Sequence, residues 1–372
     1  MYWDNAATTK PKQEVIDAMM PYFTEKWYNP SSVYEVAREV RRNVEHAREI
    51  VASSINAEPE EIYFTSGGSE ANNWILEHYG YLPMRRSTIE HSSIAEMTSW
   101  VGEIPVDETG KIDVEEFKKQ VANDWFSNVT SIQLANNEIG TIQDVKTLVA
   151  LAHENNVKIH TDAVQAYGKI PIDVKDLDVD FLSASGHKIG APKGIGFAYV
   201  KSGLEENMTP FIAGTQERGF RGGTENVPYI IGLATAVELM QNGLDTRQDY
   251  YKEFYNYLAE KVASFATLNG HPTDRLYNIV SLTINEAIDG QQLLGLLHDQ
   301  GHYVSAGSAC NAYSNEPSHV LKAIGLSDEA ATRTIRISFG DDVNKNDIDE
   351  LVNVIRQNVE ILKMMSNIGE EE

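Results

Sequence analysis

The chain has 372 residues, 42% apolar and 23% charged, a composition that suits two globular domains and argues against disorder. Its 55 acidic and 31 basic residues leave a net charge of −24, which repels phosphate backbones and disfavours direct nucleic-acid binding. The one cysteine, Cys310, rules out an intrachain disulfide or a thiolate metal cluster within one chain, so this thiol is either inert filler or reactive.

In chain order, Met1-Tyr2-Trp3-Asp4-Asn5 brings an early acid and no apolar run, so no signal peptide is expected. Val36, Val40, Val44, Ala47 and Val51 step by 4, 4, 3 and 4, the spacing of an amphipathic helix. Glu61–Phe64 reads as a short strand that ends in Thr65-Ser66-Gly67-Gly68-Ser69 before a helical stretch from Glu70. Met84–Thr88, with two arginines, makes a poor buried strand. Strand-like apolar runs follow near Val129–Leu134, Val157–His160, Phe181–Ala184 and Ile195–Val200. Asp144, a good N-cap residue, opens a helix to Asn155 between two of them. Strands alternating with helices predict an α/β fold with a mostly parallel sheet covered on both faces.

Past Asn226 the texture changes to long helical patterns, from about Val227 to Met240 and from Asp245 to Leu268. A second, α+β unit follows: strand Tyr277–Ile284, helix Gln291–Asp299, strand Thr334–Phe339 and helix Ile348–Met365. The domain change is placed near Tyr255, giving a large domain over residues 13–255 and a smaller one from 1–12 and 256–372. No stretch reaches the roughly 20 apolar residues of a membrane span, and a cytoplasmic protein is expected.

Four segments carry chemistry. In Asp180–Lys188 a strand runs into a polar turn ending on Lys188, which can form a Schiff base with an aldehyde cofactor if its surroundings lower its pKa. Ser185 and His187 beside it can hold a phosphate. Asp162 ends the strand before it, where open α/β sheets bind ligands; pyridoxal phosphate needs a carboxylate there to keep its ring nitrogen protonated. Gln165, three residues on, can donate to the ring's phenolic oxygen. Gly68, Ser69 and Glu70 sit where a strand meets a helix N-terminus, an anion site suited to the cofactor phosphate. Cys310 lies among small and polar residues from Val304 to Ser318, the composition of an exposed loop, and such a thiol suggests use over packing.

Taken together and in this order, the motifs resemble those of the cysteine desulfurases, fold-type I pyridoxal-phosphate enzymes of the class V aminotransferase family. Asp4-Asn5-Ala6-Ala7-Thr8-Thr9 and Asn29-Pro30-Ser31-Ser32 look like the family's N-terminal signatures, and Ser69-Glu70-Ala71-Asn72-Asn73 like its phosphate loop. Glu90-His91 corresponds to the Glu-His pair whose histidine stacks on the cofactor ring and moves protons. In Asn136-Asn137-Glu138-Ile139-Gly140, Asn137 would bind the substrate carboxylate, and Arg336 in Thr334–Ser338 would clamp it bidentately. Arg218–Thr224 resembles the stretch whose threonine, here Thr224, reaches the cofactor phosphate of the partner subunit, which implies a homodimer. Ser305–Pro317 looks like the longer cysteine loop of the housekeeping and nitrogen-fixation group.

The resemblance implies a large domain with a mostly parallel seven-stranded sheet and a smaller α+β C-terminal domain carrying the cysteine loop. It implies conversion of L-cysteine to L-alanine, with a Cys310 persulfide handed to sulfur-acceptor proteins for iron–sulfur cluster assembly or for tRNA or cofactor thiolation. Selenocysteine lyase and cysteine-sulfinate desulfinase use the same cofactor chemistry and stand as alternatives, with an inactive sulfur-trafficking scaffold more remote. The chain departs from the pattern at Trp3, Tyr34 and Asp341, and the region from Trp74 to Ile89 looks compressed.

Overall fold

Phe181–Ser185 and Gly196–Val200 are buried at every position, so both runs are covered on two faces, as central strands of an α/β sheet are. The computed structural model describes residues 1–79, 84–97, 100–122, 129–307 and 317–369. Its larger sheet has seven strands: β1 (Ile62–Thr65), β2 (Met84–Ser87), β3 (Trp100–Ile104), β4 (Val129–Ser131), β5 (Lys158–Asp162), β6 (Phe181–Ser185) and β7 (Gly196–Val200). They lie in the order β1-β7-β6-β5-β4-β2-β3. From β6 to β3 all neighbours are parallel, while β7 runs antiparallel to both β6 and β1.

Helices cover the sheet as the patterns require. Glu35–Ser53 buries Val40, Val44, Ala47 and Val51; Val36, on the same spacing, is left exposed. Asp144 caps the helix Val145–His153 by accepting from the Thr147 amide at 3.3 Å. The segment Met84–Ser87 corrects the expectation of a poor buried strand, since it pairs with β3 on one side and β4 on the other. Met84 and Ser87 are buried, whereas Arg85 and Arg86 keep their stems on the sheet and carry their heads to Gln120 and Glu103.

A second sheet of β8 (Ala266–Asn269), β9 (Ile279–Ile284) and β10 (Thr334–Ser338) is antiparallel, in the order β10-β9-β8. The helix expected to run from Asp245 to Leu268 spans Leu244–Val262 instead, and its expected tail is β8. Pairing across the sheet accounts for this: Ala266, Thr267 and Leu268 lie opposite Ile284, Thr283 and Leu282 of β9, and the next residue, Asn269, donates through Nδ2 to Ser281 Oγ at 3.0 Å and Thr283 Oγ1 at 2.9 Å. Trp3 is buried in this second core, edge-on to Phe339 with its indole N–H on His302, while Asp4 bridges to Ser338.

Arg275 joins the two sheets. Its Nη1 donates to Tyr255 Oη and the carbonyls of Asn269 and His271, and its Nη2 to the carbonyls of Ile139 and Ile279. The Leu276 amide donates to Gly140 O at 2.8 Å and the Ile142 amide to Asp274 O at 2.9 Å, so backbone pairing continues across the junction. Gly140 has φ +77°, and a Cβ there would fall 3.0 Å from Leu276 O; a side chain would push the two parts apart. No helix of the described residues is long and apolar enough to cross a membrane.

Candidate active site

The parallel strands β5 and β6 end side by side, at Asp162 and Ser185, and so deliver both residues to one edge of the sheet. Asp162 is buried and accepts at 2.9 Å from Asn72 Nδ2 through Oδ2, and at 2.9 Å from the Val164 amide through Oδ1. No helix follows it: residues 163–169 form turns, so the carboxylate caps a turn and not a helix. The 3-10 turn Gly186–Lys188 then lifts Lys188 over the sheet edge. Its Nζ donates to the carbonyls of Ala6 and Ala7, and Gln165 Nε2 donates to the same Ala6 carbonyl at 2.9 Å. His187 Nδ1 lies 3.1 Å from Thr8 Oγ1. Burial, with the Lys188 cation adding to it, holds the His187 ring at a pKa of about 4, so it is a neutral hydrogen-bonding group at neutral pH.

The helix Gly68–His78 points its N-terminus at the same place. Gly68 is required by packing, because a Cβ there would lie 2.6 Å from Val164 Cγ2. Ser69 and, one turn later, Asn72 line the opening, and Ser93 Oγ takes the other proton of the Asn72 amide at 3.0 Å. Glu70 turns outward instead: its carboxylate accepts from the Ser66 amide and Arg221 Nε, each at 2.9 Å. His91 caps the short helix Ser92–Ala95, its Nδ1 accepting from the Ser93 amide at 3.1 Å. The neutral ring therefore carries its proton on Nε2.

The opposite wall comes from elsewhere in the chain. Arg336, in the middle of β10, is buried; its Nη1 donates to Asn137 O at 2.9 Å and its Nη2 to Asp4 Oδ1 at 2.7 Å. Its Nε is buried with no hydrogen-bond partner among the described residues, as is Asn72 Oδ1. These side chains enclose a cavity of about 230 Å³ lined by Gly68, Ser69, His91, Asn137, Asp162, Gln165, Ser185, His187, Lys188 and Arg336. Thr224 is exposed and, like Glu70, is not among the lining residues. Cys310 falls outside the described residues.

Beneath the floor runs a buried polar chain. Glu90 Oε1 accepts from Ser87 Oγ at 2.5 Å and the Gln133 amide at 2.7 Å; Ser131 Oγ links Glu90 Oε2 to His160 Nδ1, and His160 Nε2 reaches Ser183 Oγ. Burial, with the nearby Asp162 charge adding to it, raises Glu90 to about 7, while burial alone lowers His160 to about 3.

Sequence reasoning passed over Asn72, Ser93, Gln133 and Asp4 as individual site residues, although all four touch the cavity or its first supports. For Asn72 a signal existed: it lies three residues after Ser69, hence on the same face of a helix whose N-terminus already marked an anion site. For Asp4 none existed, because its contact with Arg336 spans 332 residues of chain.

The sequence matches the family described as Aminotransferase class-V over residues 1–351. It is 40% identical to a cysteine desulfurase IscS of Methanosarcina thermophila, with all of this chain and 95% of the relative covered. Among solved structures, a NifS-like protein superposes with a TM-score of 0.89 at 33% identity, covering 97% of this chain and all of the other. SspA in complex with cysteine superposes with a TM-score of 0.80 at 32% identity, covering 91% of this chain and 98% of the other.

Proposed function

The chain belongs to the class-V aminotransferase family, and from that premise we propose that it is a pyridoxal-phosphate-dependent cysteine desulfurase. The observation that carries the reading is the convergence of Lys188, buried Asp162, Asn137 and Arg336 on one cavity. The cavity fits the cofactor. Asp162 offers a carboxylate to a ring N–H, the N-terminus of Gly68–His78 with Ser185 and neutral His187 offers donors to a phosphate, and side-chain-free Gly68 leaves room. The unpartnered Arg336 Nε and Asn72 Oδ1 are what a site built around a polar ligand leaves behind. Bound there, pyridoxal phosphate supplies an aldehyde for the substrate amine and a protonated ring that draws electrons from Cα.

The chain's own groups do the rest. Arg336 and Asn137 hold the substrate carboxylate and thereby fix which bond at Cα is labile. Lys188 Nζ moves the Cα proton, and His91, whose Nε2 carries the proton of the neutral ring, is placed as an acid near the substrate thiol. A free thiol has a pKa of about 8.5, so a minority of Cys310 is thiolate near neutrality. That thiolate attacks the substrate sulfur; the Cβ–S bond breaks, an S–S bond forms, and alanine and a Cys310 persulfide result. The cysteine-bearing unit is taken as residues 1–12 with 256–372, Thr224 as a contribution to the partner subunit's phosphate site, and a sulfur-acceptor protein as the persulfide's destination. The test is incubation of the pyridoxal-phosphate-loaded protein with L-cysteine and a thiol reductant, quantifying alanine and sulfide beside Cys310→Ser. Matched products from the parent, lost in the variant, are expected; products undiminished by Cys310→Ser would remove the persulfide step.

A further inference from the structure

Glu138 follows Asn137 in the chain but is not among the residues that line the cavity, and none of the roles above uses it. It is 1% exposed, and burial raises its carboxyl above the ordinary carboxylate range. Its backbone is firmly mounted: Asn136 Oδ1 accepts from the Glu138 amide at 2.8 Å and the Ile139 amide at 3.0 Å, and Arg336 holds the preceding carbonyl.

The carboxylate meets two stretches of chain that flank Cys310 in sequence. On the far side, Ser318 Oγ donates to Glu138 Oε2 at 2.6 Å. The direction is fixed, because the same hydroxyl accepts from the Val320 and Leu321 amides as the N-cap of His319–Ala323. On the near side is Gly307, with φ +55°; a Cβ there would lie 2.9 Å from Glu138 Oε2 and 3.4 Å from Ser318 Cβ. The flanks are tied to the cavity twice more, since Ser305 exchanges backbone hydrogen bonds with Arg336 and His319 Nε2 donates to Glu90 O at 2.9 Å.

We propose that Glu138 is a positioning residue: hydrogen-bonded to Ser318 and packed against Gly307, it pins the two points of chain that flank Cys310 in sequence. The proposal rests on the reading of Cys310 as the sulfur-carrying thiol. Two residues separate Gly307 from Cys310, and the three chain steps between them reach at most about 11 Å when extended. The clasp therefore sets the origin of a short tether. Its loss displaces the thiol from the substrate sulfur while leaving the Lys188 and Arg336 side of the cavity in place. A nucleophile displaced by about 1 Å can lose a hundredfold in rate.

The test uses the holoenzyme, and because Cys310 is the only cysteine, alkylation by iodoacetamide reports it alone. Glu138→Ala and Ser318→Ala are each expected to lower the kcat for alanine formation by about tenfold or more. KM for L-cysteine and the cofactor absorption band should stay within about twofold of the parent, and the alkylation rate should shift several-fold. Glu138→Gln, whose side-chain carbonyl still accepts from Ser318, should restore both kcat and alkylation. Unchanged kcat and alkylation in the alanine variants would overturn the clasp, as would a rise in KM or a loss of the cofactor band matching the fall in kcat. Should Glu138→Ala fail to fold, Ser318→Ala decides alone. An inactive parent would sink the desulfurase reading, whereas the alkylation rates would still decide the clasp.

Discussion

The two walls of the cavity are built by different means. Asp162, Ser185 and Lys188 stand at or just beyond the ends of neighbouring parallel strands, so sheet pairing places them before any side chain makes a contact. Asn137 and Asp4 reach Arg336 from 199 and 332 residues away, and its guanidinium bridges them beside the backbone pairing of residues 3–5 with Ser338. Rigidity in the first wall is inherited from the backbone; in the second it depends also on the charged groups themselves. Substitutions in the first wall should remove chemistry and spare the fold, whereas those in the second should alter how well a substrate is held.

The largest effect is expected at Lys188. Lys188→Ala should lower desulfuration by about 10⁴-fold or more and abolish the Schiff-base absorption band, with little change in melting temperature. An unchanged band would remove this lysine from its role. Next, Asp162→Asn keeps the shape and the turn-capping carbonyl but removes the buried charge. Here kcat should fall by about 10² to 10³-fold, measured on protein shown by its spectrum to carry cofactor.

Across the cavity, Arg336→Lys removes the fork that spans Asn137 O and Asp4. KM for L-cysteine should rise by about 10 to 100-fold, equivalent to roughly 1.4 to 2.8 kcal/mol. A kcat that fell as far as KM rose would break the contrast between the walls.

The smallest effect concerns pH and the support beneath the first wall. Glu90, buried and raised to about 7, above the ordinary carboxylate range, binds its proton more tightly folded than unfolded. Its contribution to stability is complete below the unfolded pKa and is lost as pH rises through about 7. Glu90→Gln mimics the protonated acid, so the drop in melting temperature between about pH 5 and about pH 8 should be shallower in the variant. An identical pH dependence would show that Glu90 is ionised throughout.

Much of the first wall was legible because each residue sits beside a local cue: a strand end, a polar turn, a glycine pair before a helix. Lys188, Asp162 and Gly68-Ser69 were read from such cues. The second wall left no local trace, and Arg336 and Asn137 entered only through resemblance to a family. Glu70 stands apart from that wall, since a residue at a helix N-terminus can face either the anion site or its flank, and Arg221 holds it at the flank. Within the fold, β2 was missed because strand patterns count side-chain polarity and not the buried stems of Arg85 and Arg86. The tail of the helix starting at Leu244 was overextended because Ala266–Asn269 declares itself a strand only through partners on β9.

The junction at Arg275 has a consequence for how the molecule comes apart. This buried cation is solvated by four carbonyls and a phenol drawn from both sides of the junction, and the Gly140–Leu276 pairing runs beside it. Neither core can loosen without stranding those groups away from water, a cost that couples the two in unfolding. In hydrogen–deuterium exchange the amides of Ile142 and Leu276 should therefore be retained as long as those of the sheets on either side, making the seam one of the last places to open.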